Sequence, residues 1–162
     1  MPQLTWANSR DLWRAMRSKE DLTYKHDAFY LRRHMGIEPQ MRAILIDWLI
    51  EISYAYRLHR ETLHLSIEYI DRFMSLSKQE MRIDRLQLIG ICSLYLAAKV
   101  EEIYPPKLKE FSSHMDSYSS NNEECMMKFE LFMLKTLNWQ ISPCTCNTWL
   151  MTYLQIATIN YK

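Results

Sequence analysis

Residues 41–53 place apolar side chains on more than one helical face. Met41, Ile44, Leu45, Trp48 and Ile52 share one face at helical spacing, and Ala43, Ile46, Ile50 and Ser53 share another. Such a helix is either the buried centre of a bundle or a core helix that also shows a stripe to a partner. Arg42 and Asp47 lie inside it, and a charge that is buried needs a partner. The helical period extends along the whole chain. A first segment over 9–20 follows Asn8 as N-cap and puts Leu12, Trp13 and Met16 on one face. A weaker segment over 24–34 ends before Gly36, a suitable residue just past a helix end. The central helix opens at Pro39 and runs to about position 57. Further helices are predicted over 61–76, from just after Asp84 to about 102, and over 107–114. Pro105-Pro106 stops the second of these, since proline disfavours helix in the residue before it. A polar loop, 116–122, closes on Asn122 as N-cap for a helix over 123–137, whose first-turn Glu123 and Glu124 suit the helix dipole. Ser142-Pro143 reads as the start of a last helix to about 159.

No strand alternation, internal repeat or linker interrupts this pattern. A chain of 162 residues suffices for one full core. Its two glycines fall far below the usual ~7 % share and leave little for the tight turns of a β fold. The expectation is one all-α domain.

Charge and cysteine content narrow the function. The formal net charge is +1 and no run of five Lys or Arg occurs, which weakens a nucleic-acid reading. Cys92, Cys125, Cys144 and Cys146 are too few for a disulfide scaffold, and Cys92 and Cys125 sit in apolar helical patterns, so a reducing compartment is expected. The first residues are polar rather than a signal-type apolar run, and no apolar run reaches ~18 residues, so neither secretion nor a membrane span is expected.

The tools of catalysis are missing. Glu61-Thr-Leu-His64 matches half of a di-iron motif, but the second copy is lacking. Cys144-x-Cys146 lacks a second ligand pair for zinc. Glu101 and Glu102 are adjacent acids, yet successive helical residues point apart and do not share one bond. No phosphate loop, nucleophile elbow or zinc-protease motif occurs. Neither catalysis nor a metal or cofactor is expected.

Several longer words then point to one family. Met-Arg-Ala-Ile-Leu-Ile-Asp-Trp-Leu-Ile-Glu (41–51), Leu-His-Arg-Glu-Thr (58–62), Asp-Arg-Phe (71–73), Leu-Gln-Leu-Ile-Gly (86–90) and Ala-Ala-Lys-Val-Glu-Glu-Ile-Tyr-Pro-Pro-Lys (97–107) stand in one order. With Leu-Thr-Trp-Ala-Asn (4–8) and the stretch from Ile141 to Trp149, they resemble the cyclin family, and its E-type, G1/S-specific members more than the A or B types. The resemblance runs from about Trp6 to the end of the chain. It implies a five-helix cyclin box over 39–141, its helices containing Trp48, Ile67, Leu94, Phe111 and Leu131. A helical extension over 1–38 would precede the box, and 142–162 would begin a truncated second box.

The resemblance further implies a regulatory subunit that binds and activates a cyclin-dependent kinase at the G1/S transition, in the nucleus and also in the cytoplasm and at the centrosome. By motif, Lys99 and Glu130 would be the kinase-binding pair, with Val100, Ile103, Leu134, Trp139 and Ile141 as its apolar surround. Left to spacing alone, Lys99 and Glu130 read as an ordinary surface pair. A second surface, Met41, Ile44, Leu45, Trp48, Glu51, Leu86 and Gln87, would hold Arg-x-Leu segments of substrates and inhibitors. Arg42 and Asp71 would form a buried ion pair. Tyr54 departs from the family's usual acid, and Ser113 stands where an aromatic is common. Two alternatives remain: a cyclin-fold module for a non-kinase partner, and a shortened cyclin that binds a kinase without full activation.

Overall fold

The computed structural model describes residues 8–24, 27, 29–34, 36–115 and 121–159. These form seven α-helices and no strand: α1 Ser9–Ser18, α2 Pro39–Ala55, α3 Arg60–Leu76, α4 Leu86–Glu101, α5 Leu108–Ser112, α6 Asn122–Thr136 and α7 Cys146–Ile159. Residues 4–7 of the N-terminal word and 116–120 of the polar loop lie outside the described residues.

α4 is the axis of the bundle. It packs against α2, α3, α5 and α6, and its residues Ile89 to Leu94 are all buried. Small side chains let its neighbours approach: Gly90, Ser93, Ala97 and Ala98 are all buried on it. A Cβ at Gly90 would sit 2.7 Å from Leu45 Cδ1 and 3.3 Å from its Cγ, so a side chain there would displace Leu45 from its place between α2 and α4. Ser93 returns its hydroxyl proton to the Ile89 carbonyl at 2.7 Å, which removes the cost of burying it. Phe73, Phe111, Met126, Met133 and Leu137 close the core around this axis.

Local chemistry sets the helix ends, and in three places it departs from expectation. The Asn8 side chain accepts from Arg10 N–H at 3.0 Å and caps α1 as expected. Among the described residues of the helix expected over 24–34, only a 3-10 turn at Tyr30–Arg33 forms, and the segment expected over 9–20 ends instead in a π turn at Lys19–Thr23. Tertiary bonds to α3 decide this: Arg33 donates to the Ser75 carbonyl at 2.5 Å, and His34 Nε2 meets the Met74 carbonyl at 2.8 Å. The cap of α6 is Asn121, not Asn122, because its side chain accepts from Glu124 N–H at 3.3 Å. Ser142-Pro143 does not start the last helix. Thr145 does: its Oγ1 accepts from Thr148 N–H at 3.1 Å and its carbonyl accepts from Trp149 N–H at 3.0 Å.

Candidate functional site

α3 carries most of the polar bonding that holds the bundle together. Arg42 on α2 grips Asp71 bidentately, Nε to Oδ1 at 2.8 Å and Nη2 to Oδ2 at 2.6 Å, and Tyr30 donates to Oδ1 at 2.5 Å. The hydrogen bond to Asp71 pushes the Arg42 pKa up, while burial, then the Asp71 bond, raises that of the Tyr30 phenol. The pair is half-buried rather than buried: Asp71 is 14 % exposed and Arg42 32 %, because Arg42 lies in the first turn of α2 at the surface. The next residue, Arg72, is fully buried, with its guanidinium over the Tyr24 ring at 4.6 Å and Nη1 donating to the Gln140 carbonyl at 2.7 Å. Burial pulls its pKa down. Tyr69 donates to the Ile141 carbonyl at 2.5 Å.

At the N-terminal end of α3, two carboxylates are engaged. Glu102 accepts from His59 N–H at 2.6 Å and from the Thr62 hydroxyl at 2.5 Å. Glu61 accepts from the Thr145 hydroxyl at 2.6 Å, the Thr148 hydroxyl at 2.9 Å and Asn147 Nδ2 at 2.8 Å. Glu61 thus ties α3 to the first turn of α7. Sequence reasoning weighed Glu61 only as a metal ligand. Among the described residues no group of three or more His, Cys, Asp or Glu is placed to hold a metal ion.

The contacts of Arg72 and Tyr69 fix residues 138–141, and here the backbone is strained. Asn138 and Trp139 have φ of 53° and 59°, a left-handed conformation that costs a residue with a side chain ~1–2 kcal/mol. Trp139 N–H donates back to the Leu134 carbonyl at 3.0 Å, closing the end of α6. The result turns Trp139 outward, 61 % exposed. A large aromatic held out by a strained, doubly anchored turn is a feature of binding surfaces.

Around it lie the predicted kinase-facing residues. Lys99 in the last turn of α4 and Glu130 on α6 form an ion pair with one another, and Lys99 Nζ lies 4.7 Å from the centroid of the Tyr95 ring. Val100 and Ile103 are exposed, Ile103 to 87 %. Ile141 is partly buried against the core, and Leu134 is buried within it, so Leu134 supports this surface from below rather than lining it. Sequence reasoning missed Tyr104 and Met127, both exposed. Their positions were available as a signal, since Tyr104 follows Ile103 and Met127 lies one helical turn before Glu130.

The α2 surface divides. Ile44 is 63 % exposed, Glu51 is exposed, and Met41 and Trp48 are half-buried against the core. Gln87 is also half-buried and donates to the His114 carbonyl at 3.3 Å. Leu45 and Leu86, expected in the groove itself, are core residues; Leu45 is 6 % exposed and is pressed against Gly90. The spacing that puts them on the patch face also puts them between α2 and α4. Asp47 is exposed and needs no buried partner.

An all-helical bundle with a central α4, flanked by α2, α3, α5 and α6, is the architecture of a cyclin box. The family description "Cyclin, N-terminal domain" matches residues 11–142. The chain belongs to the cyclin family. It is 45 % identical over 160 residues to G1/S-specific cyclin-E1 of Gallus gallus, covering 99 % of this chain and 38 % of that protein. It is 43 % identical over 162 residues to G1/S-specific cyclin-E of Drosophila melanogaster, covering 99 % of this chain and 22 % of that protein. The chain therefore spans less than two fifths of the length of these relatives. The solved structure of a viral cyclin from herpesvirus saimiri superposes with a TM-score of 0.66 at 18 % identity, over 83 % of this chain and 55 % of that one, and shares the fold.

Proposed function

We propose that the chain is the partner-binding box of a G1/S-type cyclin, a regulator without catalysis of its own, which binds and activates a cyclin-dependent kinase. The observation that carries this reading is the exposed apolar surface of Val100, Ile103 and Trp139 beside the Lys99–Glu130 pair. In the free chain Lys99 and Glu130 satisfy each other in a half-buried pair, Lys99 38 % and Glu130 13 % exposed; on docking they exchange that bond for groups of the kinase, so the pair adds specificity rather than net energy. The energy comes from the apolar residues. Moving a kinase from ~1:99 to ~99:1 active needs ~5.5 kcal/mol of differential binding. A single ion pair does not supply that, whereas burial of Trp139, Ile103, Val100 and Tyr104 does, at ~1.5–3 kcal/mol for a large side chain. The activation is conformational: the box favours the kinase state in which the strand lysine and helix glutamate are paired and the metal-binding aspartate is in place.

On the same reading, the exposed part of the α2 surface holds Arg-x-Leu segments. Met41, Ile44 and Trp48 receive the leucine, Glu51 receives the arginine, and Gln87 lies at the edge. The nucleus is the proposed site of action, with the cytoplasm and centrosome as further locations. The test is a histone-type kinase assay with a purified cell-cycle cyclin-dependent kinase. Activation by the wild type that Lys99→Ala with Glu130→Ala abolishes supports the proposal. Neither binding nor activation by a folded chain would turn the reading to a non-kinase partner, and binding without activation to a shortened, inhibitory form.

A further inference from the structure

At the helical spacing i, i+4 and i+7, Asp47, Glu51 and Tyr54 fall on one stripe of α2, next to Ile44 and Trp48. All three are exposed, Tyr54 to 87 %, so its ring takes no part in the packing of the bundle. Cations lie over the rings of Phe29, Tyr24 and Tyr95, and among the described residues none lies over Tyr54. Nor does Asp47 or Glu51 enter an ion pair among the described residues. A helical side chain leans back over the turn before its own α-carbon, which for Tyr54 is the turn that carries Glu51. Residues three apart on a helix have β-carbons about 5–6 Å apart. A guanidinium held by the Glu51 carboxylate therefore comes within the ~6 Å at which a ring face attracts a cation. Arg57 and Arg60 line a groove together with Tyr54, but both follow the end of α2, whereas the two acids precede the ring.

We propose that Tyr54 is a specificity-determining residue of the Arg-x-Leu surface: its ring stacks on the arginine that Glu51 anchors and favours arginine over lysine there. This rests on the docking reading of α2 given above. A guanidinium is planar and weakly hydrated, so it offers an edge to the carboxylate and a face to the ring at once. An ammonium is compact and strongly hydrated, and gains less from the ring. The acid that is usual in the family at this position would attract both cations alike. Tyr54 in its place exchanges plain attraction for discrimination.

The experiment is fluorescence anisotropy on the whole chain with a labelled Ser-Gly-Arg-Ala-Leu-Phe-Gly-Ser peptide, its counterpart with Lys for Arg, and a third with Ala for Leu. The wild type is expected to bind the Arg peptide about tenfold or more tighter than the Lys peptide. Tyr54→Ala should weaken the Arg peptide by about three- to fivefold and the Lys peptide by less than about twofold, which narrows the preference. Tyr54→Phe keeps the ring and should keep both affinities. Tyr54→Glu should tighten the Lys peptide and make the binding of both more sensitive to salt. At 87 % exposure, none of these substitutions is expected to shift the melt. An unchanged Arg-to-Lys ratio in Tyr54→Ala, or a Tyr54→Phe protein that behaves as Tyr54→Ala does, would overturn the role of the ring and leave the docking surface standing. A wild type that binds neither the Arg nor the Lys peptide, or that binds the Ala-for-Leu peptide equally well, would overturn the docking reading and this inference with it.

Discussion

The two ends of α4 and α6 differ from α3 in how their polar groups are used. On α3, Glu61, Asp71 and Arg72 each meet several partners, and those partners lie on other elements: α7, α2, and the turn at 140–141. Among the described residues, the charges of Lys99 and Glu130 have each other and the Tyr95 ring, and the neighbouring apolar side chains Val100 and Ile103 are exposed. Saturated charges that join distant segments hold a fold. Charges in a small closed pair, on elements followed by exposed Ile103, Tyr104 and Trp139, are spare. The comparison separates residues whose loss should unfold the box from residues whose loss should only disarm it.

The largest effect should come from Arg72→Ala, which opens a cavity under Tyr24 and frees the strained turn at Trp139. A loss of ~3–5 kcal/mol is expected, seen as a melting point lowered by roughly 10 °C. Arg72→Met keeps the stem and should recover part of it; if it recovers everything, the bond to Gln140 contributes nothing. Leu45→Ala comes next, at ~2–5 kcal/mol in chemical denaturation, since Leu45 fills the space beside Gly90. A stable Leu45→Ala protein with weakened Arg-x-Leu binding would place Leu45 in the groove after all. Arg42→Ala leaves Asp71 with Tyr30 alone and, because the pair is only half-buried, should cost ~1–3 kcal/mol rather than the full penalty of a buried pair. Glu61→Gln keeps the shape but gives up a charge-assisted cap; ~1 kcal/mol is expected, with α7 cleaved sooner in limited proteolysis while the rest of the box resists.

Much of this contrast could be read in the sequence. The helices α2, α3, α4 and α6 follow from apolar periodicity, and the crowding at α4 from Gly90, Ser93, Ala97 and Ala98. Arg42–Asp71 was implied by the resemblance and Lys99–Glu130 was read as a surface pair; the other polar partners across the chain could not be read. Glu61 looks like a half-built metal motif until Thr145, Asn147 and Thr148 are brought to it from more than eighty positions away. The same bonds explain the misplaced start of α7, since Ser142-Pro143 is a good local signal but Thr145 has both a capping geometry and Glu61. The helix expected at 24–34 gave way to bonds with α3 for a similar reason. Leu45 and Leu86 show the converse limit: helical spacing assigns a face, and one face served both the core and the surface.

The smallest effect on stability is the one that tests the account most directly. The Lys99→Ala, Glu130→Ala protein should be measured beside the wild type by thermal melting and by calorimetric titration with a purified cyclin-dependent kinase. Glu130 is only 13 % exposed, but removing both partners leaves no uncompensated charge, so the account predicts a melt changed by ~1 kcal/mol or less, together with kinase binding weakened by about a hundredfold or more. A variant that melts far earlier, or one that binds the kinase as the wild type does, would contradict the division between the residues that build this box and those that it presents.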